Sequence, residues 1–71
     1  MVDLKMTTIY DVQQILKKFG IYIYTGDRVG DLELMLFEIS ELFEAGFIDS
    51  NEYQMAILLL RKEINETLHK N

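Results

Sequence analysis

Apolar residues recur through most of the chain at spacings of three and four, which is the pattern of amphipathic helices. The first such face consists of Ile9, Val12, Ile15, Leu16 and Phe19. Thr7 or Thr8 can cap its start, and with Thr8 the carboxylate of Asp11 stands at capping-box spacing. Gly20 follows as the C′ residue, so the pattern predicts a first helix over about residues 8–19.

The second apolar face consists of Leu32, Met35, Leu36, Ile39, Leu42 and Phe43. Either Asp27 or Asp31 can cap this helix, and Gly46 follows its end, so we predict it over about residues 28–45. The other side carries acidic residues, namely Glu33, Glu38, Glu41 and Glu44. Leu34 and Phe37 project among these glutamates and break the amphipathic pattern.

The third segment has the clearest start signal. Asp49 and Glu52 have the spacing of a capping box, while Ile48 and Tyr53 have that of a hydrophobic staple. The core stripe of this segment consists of Tyr53, Ala56, Ile57, Leu60 and Ile64, with Thr67 and Leu68 continuing it. Other apolar side chains lie off the stripe, at Met55, Leu58 and Leu59. The pattern predicts a helix over about residues 50–68.

The segment "IYIY", residues 21–24, separates the first two helices. Its residues favour β structure, but no second strand-like segment exists to pair with them, so we predict an extended connector. Three helices joined by short connections predict an all-α three-helix bundle, with the first and third helices packing on the second. We expect a single three-helix domain over residues 1–71.

Composition narrows the class of protein. The chain has 71 residues, no cysteine and a formal charge of −5, so disulfides and thiolate metal sites are excluded. The acidic charge argues against a duplex-DNA binder, because Lys and Arg supply most of that affinity. We find no signal peptide at the N-terminus, and the longest apolar run, "MAILLL", is too short to span a bilayer. We expect a soluble, cytoplasmic protein that does not bind membranes.

Signatures of catalysis and of metal or cofactor binding are missing from the sequence. The single histidine, His69, lies two residues from the C-terminus, and bundle di-iron sites need Glu-x-x-His pairs that the acidic series lacks. "GDRVGD" has no Lys followed by Ser or Thr, so it is not a phosphate-binding Walker loop. A helix-turn-helix is disfavoured because Glu52 lies where DNA contacts should be made. We therefore expect a non-enzymatic protein without metal or cofactor.

The connector and the helix start that follows it form the first candidate site. In an extended segment Tyr22 and Tyr24 point to one side and the two isoleucines to the other. Aromatic faces, cations and free helix N–H groups are the parts of a single-stranded nucleic-acid site. The candidate residues are Lys17, Lys18, Tyr22, Tyr24, Thr25, Gly26 and Arg28.

A purely structural interpretation of the same residues stays open. The tyrosines would then cover a small core, Asp27 would act as an N-cap, and Arg28 would pair with Asp31 or Glu33. The exposure of Tyr22, Tyr24 and Arg28 distinguishes the two interpretations.

The second candidate site is a protein interface, formed by apolar residues that the minimal core does not need. These residues are Leu34, Phe37, Met55, Leu58 and Leu59. A contiguous exposed patch of this kind marks a protein partner or a homodimer. Burial by the connector or by helix ends is the structural alternative.

Several segments together resemble the YqgQ-like family of short cytosolic proteins from low-GC Gram-positive bacteria. They are "TIYDVQQILKKFG", "YTGDR", "DLELM" and "EAGFIDSNEYQMAILLL", which lie between Thr8 and about Glu63. The resemblance implies a three-helix bundle without an established biochemical activity, for which single-stranded nucleic-acid binding has been considered. It implies no catalytic residues.

Overall fold

A computed structural model describes residues 6–70. It contains three helices, α1 (Ile9–Lys18), α2 (Arg28–Glu44) and α3 (Ser50–Leu68), and no strand occurs within these residues. The predicted all-α three-helix bundle with an extended connector is thereby confirmed. Residues 1–5 and 71 of the predicted domain lie outside the described residues. None of the helices within 6–70 is long and apolar enough to cross a membrane.

Two helices start with a capping box. At α1 the Asp11 amide donates to Thr8 Oγ1, and the Thr8 amide donates to Asp11 Oδ2 at 3.0 Å. At α3 the Glu52 amide donates to Asp49 Oδ1 at 2.7 Å, and the Asp49 amide donates to Glu52 Oε1 at 3.2 Å. Each box satisfies N–H groups that have no partner within the helix. Of the two predicted caps for the first helix, Thr8 is the one used.

Schellman motifs end α1 and α2. Gly20 and Gly46 have φ angles of +76° and +83°, a left-handed conformation that only glycine adopts without strain. After α1, the Ile21 amide donates to the carbonyl of Leu16 at 3.0 Å, and the Gly20 amide donates to that of Lys17 at 2.9 Å. These bonds fix the direction in which the connector leaves α1.

Contact between α2 and α3 is the most extensive in the bundle, and α1 packs across both of them. Both outer helices thus pack on α2, as predicted, and α1 and α3 also touch each other. All three helices, the segment before α1 and the α2–α3 turn contribute to one buried cluster, which comprises Met6, Val12, Leu16, Leu32, Met35, Ile39, Leu42, Ile48, Ala56 and Leu60. Most of these positions belong to the apolar faces predicted from the sequence.

Three residues predicted for the core lie at its margin, and the first of them, Phe19, is 39% exposed. Phe43 is 36% exposed and stacks on Tyr53, with 4.2 Å between the ring centroids. Leu68, in the last turn of α3, is 65% exposed. Helical periodicity alone does not show where a neighbouring helix ends.

Substituting the core residue Leu60 tests this packing. Leu60 is fully buried whereas Leu58, on the same helix, is 64% exposed. We expect Leu60→Ala to lower the free energy of unfolding by about 2–5 kcal/mol, a large part of the roughly 4–10 kcal/mol typical of a domain this size. Leu58→Ala should change it by less than about 0.5 kcal/mol. Urea denaturation followed by circular dichroism measures both, and equal losses would contradict the packing.

Candidate nucleic-acid interface

The connector is extended, and its side chains alternate between the core and solvent. Ile21 and Ile23 are half-buried and pack against the core cluster. Tyr22 and Tyr24, at the intervening positions, are 73% and 90% exposed. The structural interpretation in which both tyrosines cover the core is therefore wrong. The isoleucines anchor the segment, which leaves two aromatic rings on one side of it.

Two adjoining depressions lie between the connector, α1 and α2, and we call them together the connector groove. The larger half, of about 350 Å³, is lined by Gln13, Leu16, Lys17, Ile21, Tyr22, Ile23, Tyr24 and Met35. The smaller half, of about 170 Å³, is lined by Gln13, Ile23, Tyr24, Gly26, Arg28, Asp31 and Met35. Because the halves share four residues, with Tyr24 among them, Tyr24 stands where they meet.

The cations predicted for the site are divided between the two halves. Lys17 lines the larger half and Arg28 the smaller one. Lys18 and Thr25 are exposed but line neither half. The structure therefore brings together Lys17, both tyrosines, Gly26 and Arg28, and leaves Lys18 and Thr25 beside the groove.

Arg28 forms an ion pair with Glu63 of α3. The Nη2–Oε2 distance is 3.1 Å, and the side chains are 49% and 35% exposed. The expectation that Arg28 pairs with Asp31 or Glu33 is wrong, because the packing of α3 against α2 places Glu63 beside the first residue of α2. A cation at a helix N-terminus opposes the helix dipole, and Glu63 offsets that unfavourable interaction.

Asp31 fastens the connector to α2. Its side chain is 6% exposed, and Oδ1 accepts hydrogen bonds from the Thr25 amide, at 2.9 Å, and from the Thr25 hydroxyl. Asp27 is the N-cap by backbone conformation, yet its side chain makes no capping hydrogen bond. Since the donors of Thr25 are already bound by a carboxylate, they are not free to hold a phosphate.

The charge of Asp31 follows from these contacts. The pKa of Asp31 is lowered, mainly by the hydrogen bond from the Thr25 hydroxyl. The Thr25 amide and the charge of Arg28 lower the pKa further, whereas burial raises it. Asp31 is therefore ionised at neutral pH. It adds a negative charge to the smaller half of the groove.

The two halves of the groove thus differ in the ligand chemistry that they suit. The larger half combines an apolar floor, the rings of Tyr22 and Tyr24, and the cation of Lys17, which suits an aromatic base attached to a phosphate. In the smaller half Arg28 lies near the charge of Asp31, and Arg28 is paired with Glu63 outside it. Within residues 6–70 no group of His, Asp and Glu side chains could hold a metal ion.

Other exposed apolar residues lie outside the groove. Leu34, Phe37, Met55 and Leu58 are 44%, 58%, 40% and 64% exposed. Leu59, predicted with them as part of a protein interface, is half-buried and packs against the core. The sequence interpretation missed Phe47, which is 63% exposed and lies 5.5 Å from Phe19 between ring centroids. Its position after Gly46, at the C″ site of a Schellman motif, was the available signal.

Comparison with known proteins agrees with the resemblance indicated by the sequence segments. The YqgQ-like family model matches residues 6–66. The chain is also 45% identical, over 62 residues, to "Uncharacterized protein YqgQ" of Bacillus subtilis (strain 168). That alignment covers 87% of each of the two chains.

The hydrogen bonds to Asp31 predict an acid-dependent loss of stability. A carboxyl group whose pKa is lowered on folding stabilises the protein above its unfolded pKa, near 3.9, and loses that contribution as pH falls through its folded value. We expect the melting temperature of the wild type to fall below about pH 4. Asp31→Asn should lower the melting temperature by several degrees at pH 7 and leave a smaller fall in acid.

Asp27→Asn is the matched control, because the Asp27 side chain makes no capping hydrogen bond. Its melting temperature at pH 7 should stay close to that of the wild type. Thermal unfolding followed by circular dichroism from pH 7 to pH 3 measures all three proteins. If Asp31→Asn melts like the wild type across this range, Asp31 does not fasten the connector.

Proposed function

This chain belongs to the YqgQ-like family, and from the connector groove we propose that it binds single-stranded nucleic acid without catalysing a reaction. The observation that carries the proposal is the exposure of Tyr22 and Tyr24 on one side of a groove whose halves contain Lys17 and Arg28. Aromatic rings held at the surface by a packed backbone are rarely needed for folding. They are the usual platforms for unpaired bases.

Stacking supplies most of the proposed affinity. Each base stacked on an aromatic side chain contributes about 1–3 kcal/mol. The rings stand at positions i and i+2 of an extended segment, so both can face the same strand of nucleic acid. Because every base has a stacking face, this part of the binding tolerates many sequences.

Phosphate contacts contribute less. Among the described residues, Lys17 and Arg28 are the only cations that line the groove. Arg28 is paired with Glu63, and the formal charge of the chain is −5. With one or two phosphates neutralised, log K should fall with log salt at a slope of about −0.7 to −1.4. Duplex DNA, whose bases are not accessible for stacking, should bind much more weakly than a single strand.

Removing the ring of Tyr24 tests the proposal directly. We expect Tyr24→Ala to weaken binding of a fluorescently labelled ten-nucleotide single strand by about fivefold or more, because one stacked base is lost. Tyr24→Phe should bind like the wild type, since it keeps the ring. Lys17→Ala should reduce the salt slope by about 0.7. Fluorescence anisotropy at low and moderate salt gives both quantities.

Tyr10→Ala provides a matched control, because Tyr10 is an exposed tyrosine of α1 that lines neither half of the groove. Its affinity should equal that of the wild type. The proposal fails if the wild type binds no oligonucleotide at low salt. It fails equally if Tyr10→Ala and Tyr24→Ala lose affinity to the same extent.

A second candidate function is a homodimer or a protein adaptor that uses exposed apolar residues of α2 and α3. The exposure of Phe37 and Leu58, at 58% and 64%, supports it. The α2 side is the less suited to self-association, because glutamates surround Phe37 and two copies would repel each other. A dimer would therefore use the α3 side, around Met55 and Leu58.

Sedimentation equilibrium tests the homodimer. If the protein dimerises through α3, Leu58→Ser should shift it towards the monomer mass, while Phe37→Ser should leave the dimer intact. A monomer mass for the wild type at high protein concentration would exclude the homodimer. A dimer that is unaffected by Leu58→Ser would exclude this surface.

A further inference from the structure

Among residues 6–70, Gln13 is the one uncharged polar side chain other than tyrosine that lines both halves of the connector groove. It lies on α1 one turn before Lys17, so the two side chains share a face of the helix. Gln13 is half-buried. Within residues 6–70 its amide has no side-chain hydrogen bond of its own to another residue.

An amide of this kind can recognise the edge of a base. Its carbonyl oxygen accepts and its amino group donates, side by side, so it can form two parallel hydrogen bonds with a partner that offers one donor and one acceptor. Glutamine forms such a pair with the amino group and ring nitrogen of adenine. A base seated in the groove would supply hydrogen-bond partners to the half-buried amide.

We propose that Gln13 reads the edge of an adenine base that lies against Tyr24 in the larger half of the connector groove. This inference rests on the single-stranded nucleic-acid binding proposed above. It names adenine as the base that the groove prefers. Gln13 acts here as a specificity residue, while the tyrosines provide the stacking.

The surroundings of Gln13 support adenine over the other bases. The adjoining smaller half contains the ionised carboxylate of Asp31, and the chain as a whole is acidic. Adenine carries an amino group and no carbonyl oxygen, so it is the standard base least repelled by nearby carboxylates. As a purine it also presents more area for stacking than cytosine.

The size and floor of the larger half fit one base. Its volume of about 350 Å³ lies at the lower end of the roughly 300–1,000 Å³ typical of small-ligand sites. Met35 lines both halves and offers a polarisable thioether to an aromatic ring. Lys17, one turn from Gln13, is placed to bind the phosphate attached to that base.

Base preference of the wild type is the first test. Labelled dA10, dC10 and dT10 are titrated against the protein in fluorescence anisotropy. We expect dA10 to bind at least about fivefold more tightly than dT10, with dC10 between them. Gln13→Ala should weaken the binding of dA10 more than that of dT10, so that the two affinities become similar.

Gln14→Ala is the matched control, because Gln14 is the adjacent half-buried glutamine of α1 and lines neither half. It should keep the preference for dA10. In two-dimensional NMR, addition of dA10 should shift the side-chain amide signals of Gln13 and leave those of Gln14 in place. A role of Gln13 in folding alone would not produce this difference.

The outcomes separate this inference from the proposal on which it rests. Equal binding of the three oligonucleotides, or a preference for dA10 that survives Gln13→Ala, overturns the role of Gln13 and leaves nucleic-acid binding intact. Absence of binding to all three overturns both.

Discussion

Two hydrogen bonds from Thr25 to the Asp31 carboxylate hold the candidate site together. The connector has no strand partner among the described residues, so its shape depends on its two ends and on the isoleucines packed beneath it. At one end the hydrogen bonds of the Schellman motif around Gly20 fix the direction in which the chain leaves α1. At the other the Asp31 carboxylate binds the Thr25 amide and hydroxyl. Between these two attachments, the rings of Tyr22 and Tyr24 are exposed while Ile21 and Ile23 pack against the core.

The hydrogen bonds between Thr25 and Asp31 also limit which ligand groups the groove can bind. A helix N-terminus next to a glycine-rich turn is commonly an anion site, but here the protein's own carboxylate already binds the donors of Thr25. Arg28 is likewise paired with Glu63. Some of the groups expected to bind phosphate, namely the donors of Thr25 and the Arg28 side chain, are thus already bound to carboxylates of the protein. What stays available is the aromatic and amide surface of the larger half, which favours recognition of bases over recognition of the backbone.

Features set by neighbouring residues were predictable from the sequence, and features set by distant ones were not. The capping boxes at Thr8 and Asp49, the glycine ends of two helices and the alternation of the connector each depend on residues a few positions apart. The Arg28–Glu63 pair joins residues 35 positions apart. The exposure of Leu68 and the half-burial of Leu59 depend equally on where another helix lies. For the site, the tyrosines and Lys17 were predictable, whereas the role of Asp31 and the position of Gln13 required the packing of α1 against α2.

Phe19 and Phe47 form an aromatic contact between two turns that are far apart in the sequence. Phe19 lies immediately before Gly20, where the connector begins, and Phe47 lies immediately after Gly46, in the turn between α2 and α3. Their rings are in contact at a centroid distance of 5.5 Å. The two turns are therefore in contact through these side chains, although the two glycines are 26 positions apart in the sequence. The Phe47 ring therefore lies beside the residue at which the connector begins, although Phe47 itself is outside the groove.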